Sequence, residues 1–581
     1  MPEGHAGGGV IGQRIGLGCM RLSTAPDRDP ANGIRVIHAA LDSGVTHLDT
    51  ADVYCFDDDD IGHNERLIAE ALRTWSGDRA RIEVATKGGL RRPKGAWVPD
   101  GRAAHLKAAC AASQTALGAD VIDLYYLHVV DVRVPLQTSV RALAALQRDG
   151  LIRHVGLSNV TASQIEAARA IVEIDAVQVP LSVIDNEFLR NGVAEYCAEH
   201  GIRLVAYRPL GGRQQAGRLA RADSLRRIAQ EQHATAPEIA LAWLLDLHPC
   251  ITPIPGPTQP AHAHDLMRSA RIELTAEQRA ELDARFNGRL LRVPRAQRRA
   301  PDDAAGDVVI IMGMPGAGKS TLAQELAGHG YTRLNRDAQG GRLRDLVPAL
   351  DEGLAQGKRE WVLDNTYASR ADRSDVLECA WRHGVPVRVI WLDTDIADAQ
   401  INAITRLIAT HGSLPMPEDI RARGKSDHRY FGPDAQFRYL RAVEPPHASE
   451  GFRSIERRTF QRRAVATIGR RAVFFDPAEV DASGIEALRT YQREGWLLIG
   501  LAWSPPGRKQ SRPRDIEYEY VECTHPAGPP VCWCRKPLPG LVLECAARWH
   551  LDLHACILAG SAAADQTMAL RLGMQHLRGF D

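Results

Sequence analysis

Val308-Val309-Ile310-Ile311-Met312-Gly313-Met314-Pro315-Gly316-Ala317-Gly318-Lys319-Ser320-Thr321 passes from five apolar residues into a G-x-x-x-x-G-K-S-T turn. An uninterrupted apolar run of that length reads as a strand buried on both faces, and Leu322 to Ala327 continues as a helix. Strand, glycine-rich turn and helix together form a phosphate cradle. Gly313, Gly316 and Gly318 let backbone N–H groups face an anion at the helix N-terminus, Lys319 reaches the outer phosphates, and Ser320, beside Thr321, offers a hydroxyl to Mg²⁺. ATP with Mg²⁺ is the ligand this pattern predicts.

Nearly three hundred residues precede that turn, and their pattern is different. From Gly12 to about Phe286, short apolar runs alternate with amphipathic stretches. The runs are Thr46 to Asp49, Ile82 to Thr86, Val121 to His128, His154 to Leu157, Ala176 to Val179, Arg203 to Tyr207 and Ile251 to Ile254. Helical patterns such as Arg35 to Asp42 and Leu136 to Arg148 lie between them. About eight β-then-α repeats predict an α/β fold of the (β/α)₈ barrel type over residues 1–291. Residues 292–306 (RVPRAQRRAPDDAAG) read as a charged, proline-punctuated linker. A P-loop α/β domain is expected over 307–469, and a third, smaller α/β domain over 470–581, opened by the apolar run Ala472 to Phe475.

Composition sets bounds on these readings. A chain of 581 residues has room for three or four domains at roughly 150 residues each. Its 72 Lys and Arg against 71 Asp and Glu give no global signal for nucleic acid. No span of about 18 uncharged apolar residues exists, so no membrane helix is expected. Met1 to Val10 lacks the basic-then-apolar order of a secretory signal. A cytoplasmic chain with reduced thiols is the expectation, in which Cys19, Cys55, Cys110, Cys197, Cys250 and Cys379 are free and buried.

Leu48-Asp49-Thr50-Ala51-Asp52-Val53-Tyr54, Thr86-Lys87 and Tyr125-Tyr126-Leu127-His128 each sit at the end of a strand-like run. Active sites of barrel enzymes assemble at the C-terminal ends of their strands. Hydride delivery to a carbonyl carbon builds negative charge on its oxygen, so a proton donor must stand beside it. These segments resemble the aldo-keto reductase family over nearly the whole first half. The resemblance implies Tyr54 as general acid, Asp49 and Lys87 as a pair that lowers its pKa, and His128 as the group that orients the carbonyl. It further implies that Ser158, Asn159 and Gln178 hold the carboxamide of NADPH or NADH and that Tyr207 stacks on the nicotinamide. Arg208 and Leu210 would pass near the pyrophosphate, and Gly256 opens the adenosine loop. That loop continues as Pro257-Thr258-Gln259 where the family carries basic residues, which leaves NADPH against NADH open.

Beyond the P-loop, Leu334-Asn335-Arg336-Asp337 and Val362-Leu363-Asp364-Asn365-Thr366 each bring a carboxylate to a strand end, and Asn402 and Arg406 share one helix face. With Glu444-Pro445-Pro446 and Glu450-Gly451-Phe452, this set resembles the polynucleotide 5′-hydroxyl kinase family. The resemblance implies Asp337 as base for a DNA or RNA 5′-hydroxyl, Arg406 as phosphoryl clamp and Asp364 near Mg²⁺. Thirteen basic residues against five acids between Arg421 and Arg471, interleaved with Tyr430, Phe431, Phe437 and Tyr439, suit contact with a phosphate backbone and stacking of bases.

Cys523-x-His525 and Cys532-x-Cys534 supply four soft ligands for a closed tetrahedral Zn²⁺ site. With Arg535-Lys536-Pro537-Leu538-Pro539-Gly540 they resemble the histidinol-phosphate and heptose-bisphosphate phosphatases of the haloacid dehalogenase superfamily. The family's D-x-D opening stands here as Asp476-Pro477-Ala478, and its G-D-x-x-x-D motif as Gly560-Ser561 through Asp565. Loss of a general acid and a metal ligand predicts a phosphatase that no longer turns over. The reading is a bifunctional enzyme that reduces an aldehyde or ketone and phosphorylates a hydroxyl, with a polynucleotide 5′-end as the expected acceptor. Two alternatives stay open: a metabolic reductase–kinase acting on a small carbonyl compound and its alcohol, and a reductase with a regulatory ATP-binding module. No residue pattern speaks to the oligomeric state.

Overall fold

The computed structural model describes residues 15–580 except 213–214, 220, 425–426, 428–429, 460–468, 504–512 and 526–531. Met1 to Val10, Lys425, Arg429, Arg462, Arg463 and the loop from Pro526 to Val531 therefore lie outside the described residues. The chain divides into two compact units, Met1–Arg298 and Arg299–Asp581.

The first unit is an eight-stranded parallel barrel: β1 Leu17–Gly18, β2 His47–Asp49, β3 Glu83–Gly88, β4 Ile122–Leu127, β5 Ile152–Ser158, β6 Ala176–Pro180, β7 Arg203–Tyr207 and β8 Ile251–Ile254. The seam closes where Gly16 N–H donates to the Pro253 carbonyl and Gly18 N–H to the Pro255 carbonyl, each at 3.0 Å. Glycine is needed there, since a Cβ at Gly18 would stand 2.8 Å from the Ile254 carbonyl oxygen. Side chains alternate along each strand. Ala85 of β3 with Leu124 and Tyr126 of β4 meet Ala176 in one small cluster inside the barrel. Tyr125 and Leu127 instead join the core against the surrounding helices. By the same period of two, Lys87 and His128 continue the inward rows.

The stretch expected as a linker is helical in its first half. Within the barrel unit, Arg295 Nε lies 2.8 Å from Glu195 Oε2 and Arg298 Nη2 3.2 Å from Glu195 Oε1, all three residues buried. Three buried charged groups held in register bring the barrel's own chain as far as Arg298.

The second unit holds two five-stranded parallel sheets. One contains β9 Asp307–Gly313, β10 Thr332–Leu334, β11 Glu360–Asp364, β12 Val387–Leu392 and β13 Ser454–Arg458 in the order β10-β11-β9-β12-β13. The other contains β14 Ala472–Phe475, β15 Leu497–Trp503, β16 Glu519–Cys523, β17 Ile557–Ala559 and β18 Gln575–Leu577 in the order β16-β15-β14-β17-β18. Helix Ile396–His411 joins them: its Ile401, Ile404 and Leu407 share one core with Phe474, Ile499, Trp533 and Val542. In both sheets the central strand has its neighbours connected in opposite directions, and ligands of such folds bind beyond the carboxyl end of that strand. Among the described residues no helix is long and apolar enough to cross a membrane.

Candidate active sites

At the C-terminal mouth of the barrel, Lys87 Nζ is completely buried and donates to Asp49 Oδ1 at 2.7 Å and to the Thr50 carbonyl at 2.6 Å. Gln178 Nε2 donates to the other carboxylate oxygen, Oδ2, at 2.6 Å. Asp49 is thereby fixed on both oxygens by groups from β3 and β6. The Lys87 ammonium lies 4.9 Å from the Tyr54 ring centroid. Tyr54 meets the His128 ring edge-on at 5.7 Å. The structure thus brings Asp49, Tyr54, Lys87 and His128 together.

Their electrostatics differ from the sequence expectation at one point. The Tyr54 phenol is pushed well above its usual range, by burial first and then by the Asp49 carboxylate. Asp49 neutralises the cation at short range, so the phenol keeps its proton at neutral pH. Burial, and secondarily the Lys87 charge, holds His128 well below the ordinary imidazole range, so this ring is neutral. Its Nδ1 is buried and has no hydrogen-bond partner. Burial also lowers Lys87, against the pull of Asp49.

The expected cofactor residues cluster on the same rim. Asn159 adopts a left-handed φ of 57°, from which its side chain accepts from the Tyr207 hydroxyl at 2.8 Å and donates to Ser158 Oγ at 3.0 Å. Arg208 also has a left-handed φ of 50°, and Leu210 is half-buried beyond it. The Gly256 carbonyl accepts from Arg21 Nη1 at 3.3 Å, which brings one cation to a loop whose own residues carry none.

Two residues the sequence reading passed over complete the mouth. Trp97 stands edge-on to both Tyr54 and His128, at 6.4 and 6.3 Å. The buried Arg92 guanidinium stacks on Trp97 at 4.0 Å and donates to the Cys55 and Phe56 carbonyls. Both belong to the ribbon region around Leu90–Arg91 and Val98–Pro99 and reach the site only through tertiary packing, so no spacing rule reveals them.

In the P-loop, Gly316 and Gly318 have φ of 90° and 92°, and a Cβ at Gly316 would stand 2.1 Å from the Ala399 carbonyl oxygen. Lys319 Nζ donates to the Gly313 and Met314 carbonyls at 2.8 Å each. Burial pulls its pKa down to about 8, and Asp364, Arg406, Asp337 and Arg336 are the charges that act on it. The charges of Asp337 and Arg406 are thus both felt at the P-loop lysine. Ser320 and Thr321 are exposed at the start of helix Lys319–Gly328. Asn402 Nδ2 donates to the Gly316 carbonyl at 3.0 Å, and Gln436 Nε2, unforeseen in the sequence, to Pro315 at 2.9 Å.

Asp364, expected near Mg²⁺, is buried at the end of β11. Both of its oxygens are taken by Arg333, at 2.9 and 2.6 Å, in a bidentate pair that was not foreseen. Asn335 caps helix Arg336–Gln339 by accepting from the Asp337 and Ala338 N–H groups, which leaves the Asp337 carboxylate free of that duty. Glu450 is structural: it is buried and pairs with the buried Arg373 at 2.8 and 2.7 Å.

The basic stretch is more neutral than its sequence. Arg438 pairs with Asp434, Arg457 with Asp393 and Arg458 with Glu456. Tyr439 is buried, Phe431 packs against Trp533, and Tyr430 lies tilted against His411, so Phe437 is the exposed ring of the four.

Cys523, His525, Cys532 and Cys534 direct four ligand atoms to within 4.8 Å of one another. Cys523 Sγ lies 3.6 Å from Cys532 Sγ and 3.3 Å from His525 Nδ1. Tetrahedral zinc with Zn–S near 2.3 Å requires S···S of about 3.8 Å, so the donor set fits that ion. Nearby, Lys536 Nζ lies 2.7 Å from the buried Asp565 and 3.9 Å from Asp476 Oδ2. Ala478, where the phosphatase family has its second acid, contributes only an N–H to Asp476 Oδ1 at 3.0 Å.

A family model described as the aldo/keto reductase family matches residues 14–285, and one described as an AAA domain matches 308–406. An uncharacterized oxidoreductase of Schizosaccharomyces pombe is 31% identical over 282 residues, covering 48% of this chain and 87% of that protein. An aldo-keto reductase from Klebsiella pneumoniae in complex with NADPH is 26% identical with a TM-score of 0.40, covering 48% of this chain and 92% of its own. The glycerol dehydrogenase from Gluconobacter oxydans is 25% identical with a TM-score of 0.42, over 48% and 93%.

Proposed function

Since the chain belongs to the aldo/keto reductase family through residues 14–285, we propose that this half reduces an aldehyde or ketone with NADPH or NADH and that the P-loop half phosphorylates a hydroxyl, that of a polynucleotide 5′-end. The observation that carries the first part is the buried Lys87–Asp49 pair beneath the Tyr54 and His128 rings. When bound, the nicotinamide supplies hydride to the carbonyl carbon. Tyr54 gives its proton to the oxygen, on which charge develops, and the adjacent Lys87 cation balances the resulting phenolate. Neutral His128 donates a hydrogen bond that orients the carbonyl. Ser158, Asn159 and Tyr207 would hold the nicotinamide end, and Arg21 stands ready beside the Gly256 loop.

For the second half, the supporting observation is the P-loop itself, with left-handed Gly316 and Gly318 and with Asn402 and Gln436 donating to its carbonyls, beside which the charges of Asp337 and Arg406 act on Lys319. Asp337 accepts the proton of the attacking hydroxyl, while Lys319 and Arg406 neutralise charge on the transferring group. Ser320 would hold Mg²⁺, which would supply positive charge to the phosphates. The four-ligand cluster would hold a structural Zn²⁺. With Ala478 and Ser561 in place of acids, the third sheet binds rather than hydrolyses.

Purified protein is given NADPH with a panel of aldehydes and ketones, and separately γ-labelled ATP, Mg²⁺ and 5′-hydroxyl DNA or RNA. Carbonyl-dependent NADPH oxidation lost in Tyr54→Phe, and label transfer lost in Lys319→Ala and Asp337→Ala, support the reading. Label transfer to the alcohol product of the barrel, with none to oligonucleotides, replaces it with a small-molecule reductase–kinase.

A further inference from the structure

Trp533 sits between two of the four clustered ligands, Cys532 and Cys534, and is 1% exposed. Its backbone is pinned from the other side: Gly540 N–H donates to the Trp533 carbonyl at 3.2 Å, and a Cβ at Gly540 would come within 2.3 Å of that oxygen. The indole Nε1 donates to the Phe431 carbonyl at 2.9 Å, and the two rings meet edge-on at 5.8 Å. Phe431 in turn underlies Arg406, whose guanidinium carbon is 5.4 Å from the ring centroid. Five residues further on, in helix Asp434–Ala442, the buried Gln436 donates to the Pro315 carbonyl in the P-loop. An unbroken series of contacts thus runs from the thiol–imidazole cluster through one indole to both the clamp arginine and the phosphate turn.

We propose that Trp533 is a positioning residue for phosphoryl transfer: the Cys523/His525/Cys532/Cys534 clip fixes the indole, the indole fixes Phe431, and Phe431 sets the direction from which Arg406 meets the transferring phosphate. The inference rests on the kinase reading of residues 307–469. The physical reason is that an exposed arginine side chain has many rotamers, whereas one lying on a ring that is itself hydrogen-bonded and packed has few. The metal's contribution is mechanical. It would tie β16 to the chain at Cys532 and Cys534 and so hold the backbone on either side of the indole, whose ring is kept in place by burial and by its bond to the Phe431 carbonyl. A domain that has lost its own chemistry is thereby retained as a splint for its neighbour's.

Full-length protein and its Trp533→Leu and Trp533→Phe variants are compared with zinc content measured on each. ATP and a 5′-hydroxyl oligonucleotide serve as substrates. Trp533→Leu is expected to lower kcat by about ten- to a hundredfold, the loss that small misplacements of a clamp produce, with KM for ATP unchanged. Trp533→Phe, which keeps a ring, recovers most of it. Trp533→Leu added to Arg406→Ala causes no further loss, and carbonyl reduction by the barrel is unaffected throughout. Wild-type kcat in Trp533→Leu, or a fully additive loss in the double variant, overturns the proposal. Amide hydrogen exchange supplies an arm independent of turnover. Residues 396–411 and 430–442 should exchange faster in Trp533→Leu, and in the wild type after zinc is chelated, while β9 stays protected. If the wild type transfers no phosphate, the kinase reading fails, and unchanged exchange in those two segments then separately overturns the positioning role.

Discussion

Tyr54 is held protonated by burial and by Asp49, and Lys87 waits beneath it, so the phenol is loaded as an acid before any substrate arrives. Replacing Tyr54 with Phe removes the phenolic hydroxyl and with it the proton donor, while the ring stays. The expected result is a fall in kcat of about 100- to 10,000-fold with NADPH affinity retained, read by fluorescence titration of the cofactor. His128 gives a prediction in pH. Its folded pKa lies well below the ordinary 6.5, so below pH 6.5 the unfolded chain binds a proton that the folded chain refuses. Stability present above 6.5 is therefore lost as pH falls, at up to about 1.4 kcal/mol per pH unit. Urea unfolding of the barrel between pH 7 and 5 should show this slope, and it should be shallower in His128→Gln, where His63, also lowered by burial, still contributes. Asp49, Lys87 and His128 are legible in the sequence because each closes a strand-like run, where the fold itself places active groups, and Tyr54, in the loop after β2, through the family resemblance of its segment. Trp97, Arg92, Arg333 and Gln436 are not, because each acquires its role from a partner distant in the chain. The net rise of the Tyr54 pKa is hidden from the sequence for a related reason. Sequence lists the charges but not that Asp49 takes both the lysine and, through Oδ2, Gln178.

Seven of the eight barrel strands announce themselves as apolar runs, whereas β1 does not. It is two residues long and flanked by Gly16, and its identity comes from pairing with β2 and from the close seam against β8. The P-loop was the plainest element, since its glycines answer a steric demand that can be tested. In Gly316→Ala the new Cβ meets the Ala399 carbonyl, and a φ of 90° is strained for alanine. Strain of about 1–3 kcal/mol should weaken binding of a fluorescent ATP analogue by roughly tenfold or more, with carbonyl reduction unaltered. The helical segment after residue 291 makes a second prediction at this level. Removing the carboxylate in Glu195→Ala leaves two buried arginines without their shared counter-ion, and the barrel should lose about 3–5 kcal/mol in urea unfolding.

The two compact units carry separate cores and separate candidate sites, one built for hydride chemistry and one for phosphates. Near-equal counts of acids and bases hide this division, and the basic stretch between Arg421 and Arg471 is itself partly neutralised by Asp393, Asp434 and Glu456. Oligonucleotide binding should therefore depend on salt with a modest slope, reporting a few phosphate contacts rather than the thirteen charges of the sequence. The most direct measurement assays one preparation for both chemistries, NADPH oxidation across a carbonyl panel and transfer of γ-labelled phosphate to a 5′-hydroxyl oligonucleotide, in the wild type, Tyr54→Phe and Lys319→Ala. Both activities in the wild type, with each variant losing one and keeping the other, is the predicted result. Label transfer that survives Lys319→Ala, or NADPH oxidation that survives Tyr54→Phe, would contradict it.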